Sequence, residues 1–341
     1  MRVLITGATG LIGKATAERL VAGGWDVRAI DLQPSAEIAG VEYFPCDILN
    51  YNNLLDKMRG CQAVVHMAAI RGPSLAPGPK LFDINVTGTY NVFEAAAVCG
   101  IKRVAQASSI NALGSYYGTV EIAPPYLPID EAIPSNTTDP YSFSKQLVEE
   151  IGAYYWRRDG ISSVAMRFPG VVQPTYITNE NFLHKREFVQ HMIDDLMRLP
   201  EAERRARLAE VQARAGEVRR QRPLEYHPDR PHPVQTKFVE EPLLWSYLSD
   251  RYNFWALVDV RDAAQSLEKA LTADYEGAHP LYINDDHNAM GCDSRALADL
   301  FFPDVTDLRD LSGTDALVSI ERARQLIGFA PEHSVAALDP S

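Results

Sequence analysis

The segment Arg2-Val3-Leu4-Ile5-Thr6 runs straight into Gly7-Ala8-Thr9-Gly10-Leu11-Ile12-Gly13, an apolar strand followed at once by a glycine-spaced turn and a helix start. Few folds accommodate that order of events. Glycines 7, 10 and 13 permit the tight turn, let the backbone approach a pyrophosphate and let the helix pack closely on its strand. Free amides at the start of the helix, around Leu11 and Ile12, then receive the phosphate charge. A second strand from Trp25 ends at Asp31, placed for the hydroxyls of an adenosine ribose. A carboxylate there repels a 2′-phosphate, which favours NAD over NADP, with Arg28 and Lys14 as the neighbouring cations that argue the other way.

Short apolar strands near 2–6, 26–30, 41–44, 62–67, 102–107 and 162–168 alternate with helical stretches. This alternation predicts an α/β fold, a doubly wound parallel sheet of the Rossmann type with ligands at the carboxyl ends of its strands. Residues 1–176, completed by about 256–286, form the expected cofactor domain. Residues 177–255 and 287–341 form a smaller, mostly helical C-terminal substrate lobe. Within it, Glu187 to Met197 and Glu201 to Arg220 read as two helices broken near Pro200, an insertion near 185–222 that serves as a solvated charge-paired helix, a lid or a subunit contact. Pro223 to Pro233 reads as an irregular linker. Between Tyr116 and Pro140 a long loop suits one wall of a substrate site.

Tyr141-Ser142-Phe143-Ser144-Lys145 puts a phenol and an ammonium one helical turn apart, on one face. At about 4 Å and an effective dielectric of about 20, unit charges interact by roughly 4 kcal/mol, or about three pKa units, which would draw a phenol towards neutrality. Such a tyrosine can exchange a proton with an alcohol while a hydride moves. By itself the pair also suits a core aromatic with a lysine reaching to water; its setting after the glycine turn favours the chemical reading.

Together these residues resemble the extended short-chain dehydrogenases/reductases, the NAD-dependent epimerase/dehydratase family of sugar-modifying enzymes, and the resemblance covers nearly the whole chain. Asp47-Ile48 resembles that family's adenine-contacting pair, and His66-Met67-Ala68-Ala69 its fourth-strand end along the cofactor. Asn85-Val86-Thr87-Gly88-Thr89 resembles the helix start whose Asn supports the active site. Ala107-Ser108-Ser109 resembles the strand end with the catalytic hydroxyl, and Arg167-Phe168-Pro169-Gly170-Val171 the sixth strand end. Leu257 to Ala264 and Ala323 to Pro331 resemble the family's late motifs. The resemblance implies that Ser109, counted back from Gly114, hydrogen-bonds the substrate hydroxyl, with Ser108 capping the strand or touching the cofactor. It implies that Tyr141 is the general base, that Lys145 binds the nicotinamide ribose and tunes Tyr141, and that Pro169 and Val171 face the nicotinamide. It also implies a homodimer through the Tyr141 helix and the helix before it.

Ile110-Asn111 stand where the family's dehydratases carry an Asp-Glu pair, so elimination of water is not expected. Gly170 and Leu113-Gly114 depart from the Asn and Tyr-Gly of nucleotide-sugar epimerases. What remains is an NAD-dependent dehydrogenase of a sugar or sugar-derivative hydroxyl. The alternatives are a UDP-glucose 4-epimerase-like enzyme with tightly held NAD and a non-catalytic NAD-sensing protein, whose mark would be loss of Tyr141 or Lys145. Trp245, Tyr247, Tyr252, Phe254 and Trp255 suit either a sugar pocket or the core, with the core expected for most.

At 341 residues and 46% hydrophobic content the chain can bury a large core. An excess of 45 acids over 33 Lys plus Arg argues against a nucleic-acid surface. There is no apolar stretch of about 18 residues to span a membrane. Four unpaired-looking cysteines and the short start before Gly7 suit a cytoplasmic protein. The histidines form no metal-ligand motif, and His227 and His232 flank prolines, so no metal is expected.

Overall fold

The computed structural model describes residues 1–229 and 241–334. Seven parallel strands form its central sheet: β1 (Arg2–Thr6), β2 (Asp26–Asp31), β3 (Val41–Pro45), β4 (Ala63–His66), β5 (Arg103–Ala107), β6 (Ser162–Arg167) and, far along the chain, β9 (Ala278–Tyr282). Their order is β3-β2-β1-β4-β5-β6-β9, a doubly wound Rossmann sheet whose winding reverses between β1 and β4. At that switch point Thr6 lies level with His66, and the chain ends of β1 and β4 open a crevice for a ligand. A separate parallel ribbon joins β7 (Gly170–Val172) to β8 (Leu257–Asp259).

Side-chain alternation along the strands builds both faces of the sheet. Val3 and Ile5 enter one core with Leu20 and Leu267, while Leu4 enters the other with Leu54, Phe93 and Tyr155. Ala63 and Val65 against Val64 repeat the pattern one strand over. A period of two on fully buried strands therefore requires helices on both sides, which the chain supplies. A third apolar cluster, containing Leu113, Ile193, Leu208, Trp255 and Phe301, lies among the helices of the C-terminal half.

Three features differ from the sequence expectation, the β7–β8 ribbon being the first. β9 was not expected as a strand, because Pro280 interrupts its apolar pattern; it lies at the sheet edge, where a missing ladder donor is tolerated. The first insertion helix starts at Glu180, not Glu187, with the Asn179 side chain accepting the Asn181 amide at 2.8 Å. It ends at Arg198, and the second helix runs Glu201–Arg220, so the break at Pro200 stands. Residues 230–233 of the expected linker, His232 included, lie outside the described residues.

The Pro140–Asp159 helix carries its own start and stop. The Asp139 side chain accepts the Ser142 amide at 2.9 Å, Pro140 takes the first turn, and Gly160 ends it at φ 64°. At the chain's far end Asp262 accepts hydrogen bonds from the Glu332 and His333 amides and from His333 Nδ1, pinning the tail to the Val260–Thr272 helix. No described helix is long and apolar enough to cross a membrane.

Candidate active site

The glycine turn is built for close approach. Gly7 has φ 68°, and a Cβ there would lie 2.5 Å from the Ala68 amide nitrogen of β4's extension. A Cβ on Gly13 would collide with the Gly7 carbonyl. Gly10 leads into the Leu11–Ala22 helix without a side-chain cap, so the first amides of that helix are left for an anion. Beside this turn lies a cleft of about 970 Å³ lined by Gly7, Gly10, Leu11, Asp31, Asp47, Ile48, Ala68 and Ala69. Asp31 sits at the end of β2, its Oδ2 accepting from the Thr9 amide at 2.9 Å and the Thr9 hydroxyl at 2.7 Å. A dinucleotide fits this set: an uncapped helix start for its phosphates, glycines where side chains would intrude, and a carboxylate where a ribose would end.

A second cavity of about 200 Å³ continues inward past Gly13, Ile12, Ser108, Ser109, Tyr141, Lys145, Pro169 and Val171. A third, of about 420 Å³, opens on the other side and includes Asn111, Tyr116, Tyr117, Lys185, Trp245, Asp250 and Trp255. Arg71, Ser109, Tyr141 and Pro169 line both. The structure thus gathers Ser109 and Tyr141 where the two cavities meet and leaves Lys145 on the dinucleotide side.

Burial sets the electrostatics here. Tyr141 is 6% exposed, and desolvation pushes its phenol up to about 12, opposed by the Ser109 hydroxyl and by the Arg71 charge. Lys145 is 3% exposed and is lowered to about 8 by the same cause, against the pull of Glu149. The expected drop of the tyrosine towards neutrality is absent, because Lys145 Nζ donates to the Ala107 carbonyl at 2.9 Å and stands 6.0 Å from the Tyr141 ring centre. Shared helical spacing brought the residues together, but the ammonium is turned to the strand end.

Around the pair the buried polar groups are knit together. Asn85, in a π-helical turn over Asp83–Thr87, accepts the Ile70 amide at 2.8 Å and donates to the Ile70 carbonyl at 3.0 Å and to Ser144 Oγ at 3.0 Å. Ser144 Oγ in turn donates to the Tyr141 carbonyl at 2.7 Å. Thr89 donates to the Asn85 carbonyl and so accepts from His66 Nε2 at 2.9 Å; that leaves His66 Nδ1 to accept from Thr6 at 2.7 Å. Burial and the Lys145 charge hold this imidazole down to about 3, so it is neutral.

Ser108 lines the inner cavity, but its hydroxyl donates to Glu149 at 2.6 Å. Glu149 also takes two hydrogen bonds from Arg167, at 2.9 and 2.8 Å. Sequence reasoning missed Glu149 although it sits one further turn along the Tyr141, Lys145 face, a signal that was available. It also missed the Arg219 contacts: this buried arginine of the insertion donates to the Ser115 carbonyl at 2.6 Å and the Tyr116 carbonyl at 3.2 Å. Tyr117 beyond them stands edge-on to Tyr141, ring centres 5.5 Å apart. The insertion therefore bears on the wall of the site. Of the aromatics, Trp245 and Trp255 line the 420 Å³ cavity, whereas Tyr247, Tyr252 and Phe254 are packed in the core.

Comparison with known proteins bears on these cavities. The profile of the NAD dependent epimerase/dehydratase family matches residues 3–221. A uronate dehydrogenase of Pseudomonas putida is 30% identical over 168 residues, covering 49% of this chain and 59% of that one. A UDP-glucose 4-epimerase of Mycolicibacterium smegmatis is 33% identical over 158 residues, covering 42% and 48%. The chain thus spans about half to three fifths of the length of these curated relatives. Among solved structures, a short-chain dehydrogenase/reductase superfamily protein from Agrobacterium tumefaciens with bound NAD superposes at a TM-score of 0.60 and 22% identity, over 98% of this chain and 94% of that one, a likeness of fold. With the family profile spanning most of the chain and the glycine turn, cleft and Tyr141 helix all in place, this protein belongs to the NAD dependent epimerase/dehydratase family and takes NAD as its cofactor.

Proposed function

We propose that the protein is an NAD-dependent dehydrogenase that oxidises a hydroxyl of a sugar or sugar derivative. The observation that carries this reading is the division of the Ser109, Tyr141 and Lys145 set: the first two line the cavities on both sides, the third only the dinucleotide side. NAD, when bound, supplies the acceptor for the substrate's hydride. Ser109 hydrogen-bonds the substrate hydroxyl and Tyr141 takes its proton. Lys145 binds the nicotinamide ribose and, swung from the Ala107 carbonyl towards the phenol, lowers the cost of the phenolate. A phenol near 12 is almost wholly protonated at neutral pH and has no room for the proton, so the reading requires that swing. Gly7, Gly10, Leu11, Ile12 and Gly13 hold the pyrophosphate, Asp31 the adenosine ribose, Asp47 and Ile48 the adenine. Ala68, Ala69, Ser108, Pro169 and Val171 wall the nicotinamide half, and Asn85 fixes the floor beneath it.

In this reading residues 1–176 with about 256–286 bind the cofactor, and the remainder, with its helical insertion, binds the sugar. Tyr90, Val98, Phe143 and Tyr154 are exposed on the Gly88–Val98 and Pro140–Asp159 helices, which supports a homodimer through them. The free thiols at Cys46, Cys61, Cys99 and Cys292 support a cytoplasmic setting. The test is NADH absorbance with purified protein and NAD across free sugars, sugar acids and nucleotide sugars, with products analysed. Stoichiometric NADH with one class supports the dehydrogenase. Interconversion of nucleotide sugars without net NADH makes the protein an epimerase, the activity of its Mycolicibacterium relative, and NAD binding with neither outcome makes it a sensor.

A further inference from the structure

We infer that Arg71 is the anion receptor of the 420 Å³ cavity, so that the sugar oxidised there carries a carboxylate or phosphate; this rests on the dehydrogenase reading above. Arg71 lines all three cavities. Its loop is held at both ends: the Asn85 side chain clamps the amide and carbonyl of Ile70, and the Tyr226 amide donates to the Pro73 carbonyl at 2.9 Å. The root of the side chain is therefore fixed while Arg71 as a whole remains exposed. Among the described residues it has no hydrogen-bond or ion-pair partner, which sets it apart from the cavity's other charges. Lys185 Nζ is 2.9 Å from Asp250 Oδ1, a pair that cancels. Among the described residues that line it, the cavity is left with the one positive charge of Arg71, in a chain whose formal net charge is −12.

Two further groups in the same cavity await a ligand. Asn111 Oδ1 and Trp255 Nε1 are buried without any hydrogen-bond partner, on side chains of residues only 8% and 2% exposed. An orphaned acceptor and an orphaned donor are costly unless something polar completes them. Hydroxyls of a sugar supply both. A planar guanidinium adds two parallel donors, matched to the oxygens of a carboxylate or phosphate. The combination selects a polyhydroxylated anion of monosaccharide size over a neutral sugar.

The test pairs an aldohexose with its uronate and its 6-phosphate. Tryptophan fluorescence titrations in the presence of NAD, with Trp255 in the cavity wall, report binding whether or not a hydride moves. NADH rates at saturating NAD report turnover. The expected result is saturable binding of one of the two anions, whose identity names the source of the negative charge, with the neutral sugar bound at least about 10-fold more weakly. Arg71→Ala should weaken that anion about 10- to 100-fold, with the loss in substrate KM and not in the KM for NAD, and Arg71→Lys should recover part of it. Equal binding of the neutral sugar, no saturable binding of either anion, or an Arg71→Ala defect confined to NAD overturns the inference. Anion binding without NADH formation would instead count against the dehydrogenase reading and leave the receptor standing.

Discussion

Asn85 Nδ2 and Ser144 Oγ are joined by a buried 3.0 Å hydrogen bond that ties the π-helical turn after β4 to the helix carrying Tyr141 and Lys145. The same amide holds both backbone groups of Ile70, so one side chain fixes the Tyr141 helix and the Arg71 loop relative to each other. Asn85→Ala leaves three polar partners short in a dry interior. A loss of about 1–3 kcal/mol in urea unfolding is expected. A variant within about 0.5 kcal/mol of the parent would show that water or a neighbour replaces the amide.

Among the described residues Glu149 is the sole carboxylate on the Arg167 guanidinium, which is 4% exposed. Glu149→Ala strands that buried charge and removes the acceptor of Ser108, at an expected cost of about 3–5 kcal/mol, read from the urea midpoint. Replacing the carboxylate should cost far more than removing the exposed Lys14–Glu18 pair of the first helix, worth at most about 1 kcal/mol.

His66 gives the fold a defined acid limb. Its folded-state pKa, about 3, lies below the ordinary value of 6.5. Between those values the unfolded chain binds the extra proton, so stability falls as pH drops from about 6.5 to 3. The full effect is on the order of 5 kcal/mol. Urea midpoints at several pH values should show this slope, and His66→Gln should flatten it. An unchanged slope in the variant would assign the acid limb to carboxylates.

Lys145 and Tyr141 set an alkaline counterpart. With Lys145 lowered to about 8 from 10.5, the unfolded chain carries more protons across that interval, so stability rises with pH there. Tyr141, raised from 10 to about 12, reverses the sign above pH 10. Lys145→Met should remove the gain between pH 8 and 10.5, measured by urea unfolding; persistence of the gain would mean that Lys145 is hydrated in solution.

Much of this architecture was legible because its signals are local. The glycine turn, Asp31 at a strand end and the six apolar runs are each set by a few adjacent residues, and the sheet follows from them. β9 was hidden because Pro280 breaks its pattern and only an edge position forgives that. Ser109 and Tyr141, singled out by their motifs, line two adjoining cavities, and their chemical roles there are proposed. The Lys145 orientation was not readable, since helical spacing fixes which face a side chain leaves from but not which acceptor it finds. Arg71 and Arg219 were missed, and Asn111 and Trp255 were named without their hydrogen-bonding role, for a related reason: each gains its significance from partners, or from the lack of them, supplied by distant segments.

The most direct measurement of the central claim is turnover by Tyr141→Phe, with NAD binding measured alongside. The account predicts that NAD still binds and that NADH formation with the wild-type substrate falls at least about 100-fold, since only the hydroxyl that takes the proton is gone. A variant that keeps more than about a tenth of wild-type turnover would contradict the assignment of Tyr141 as the general base.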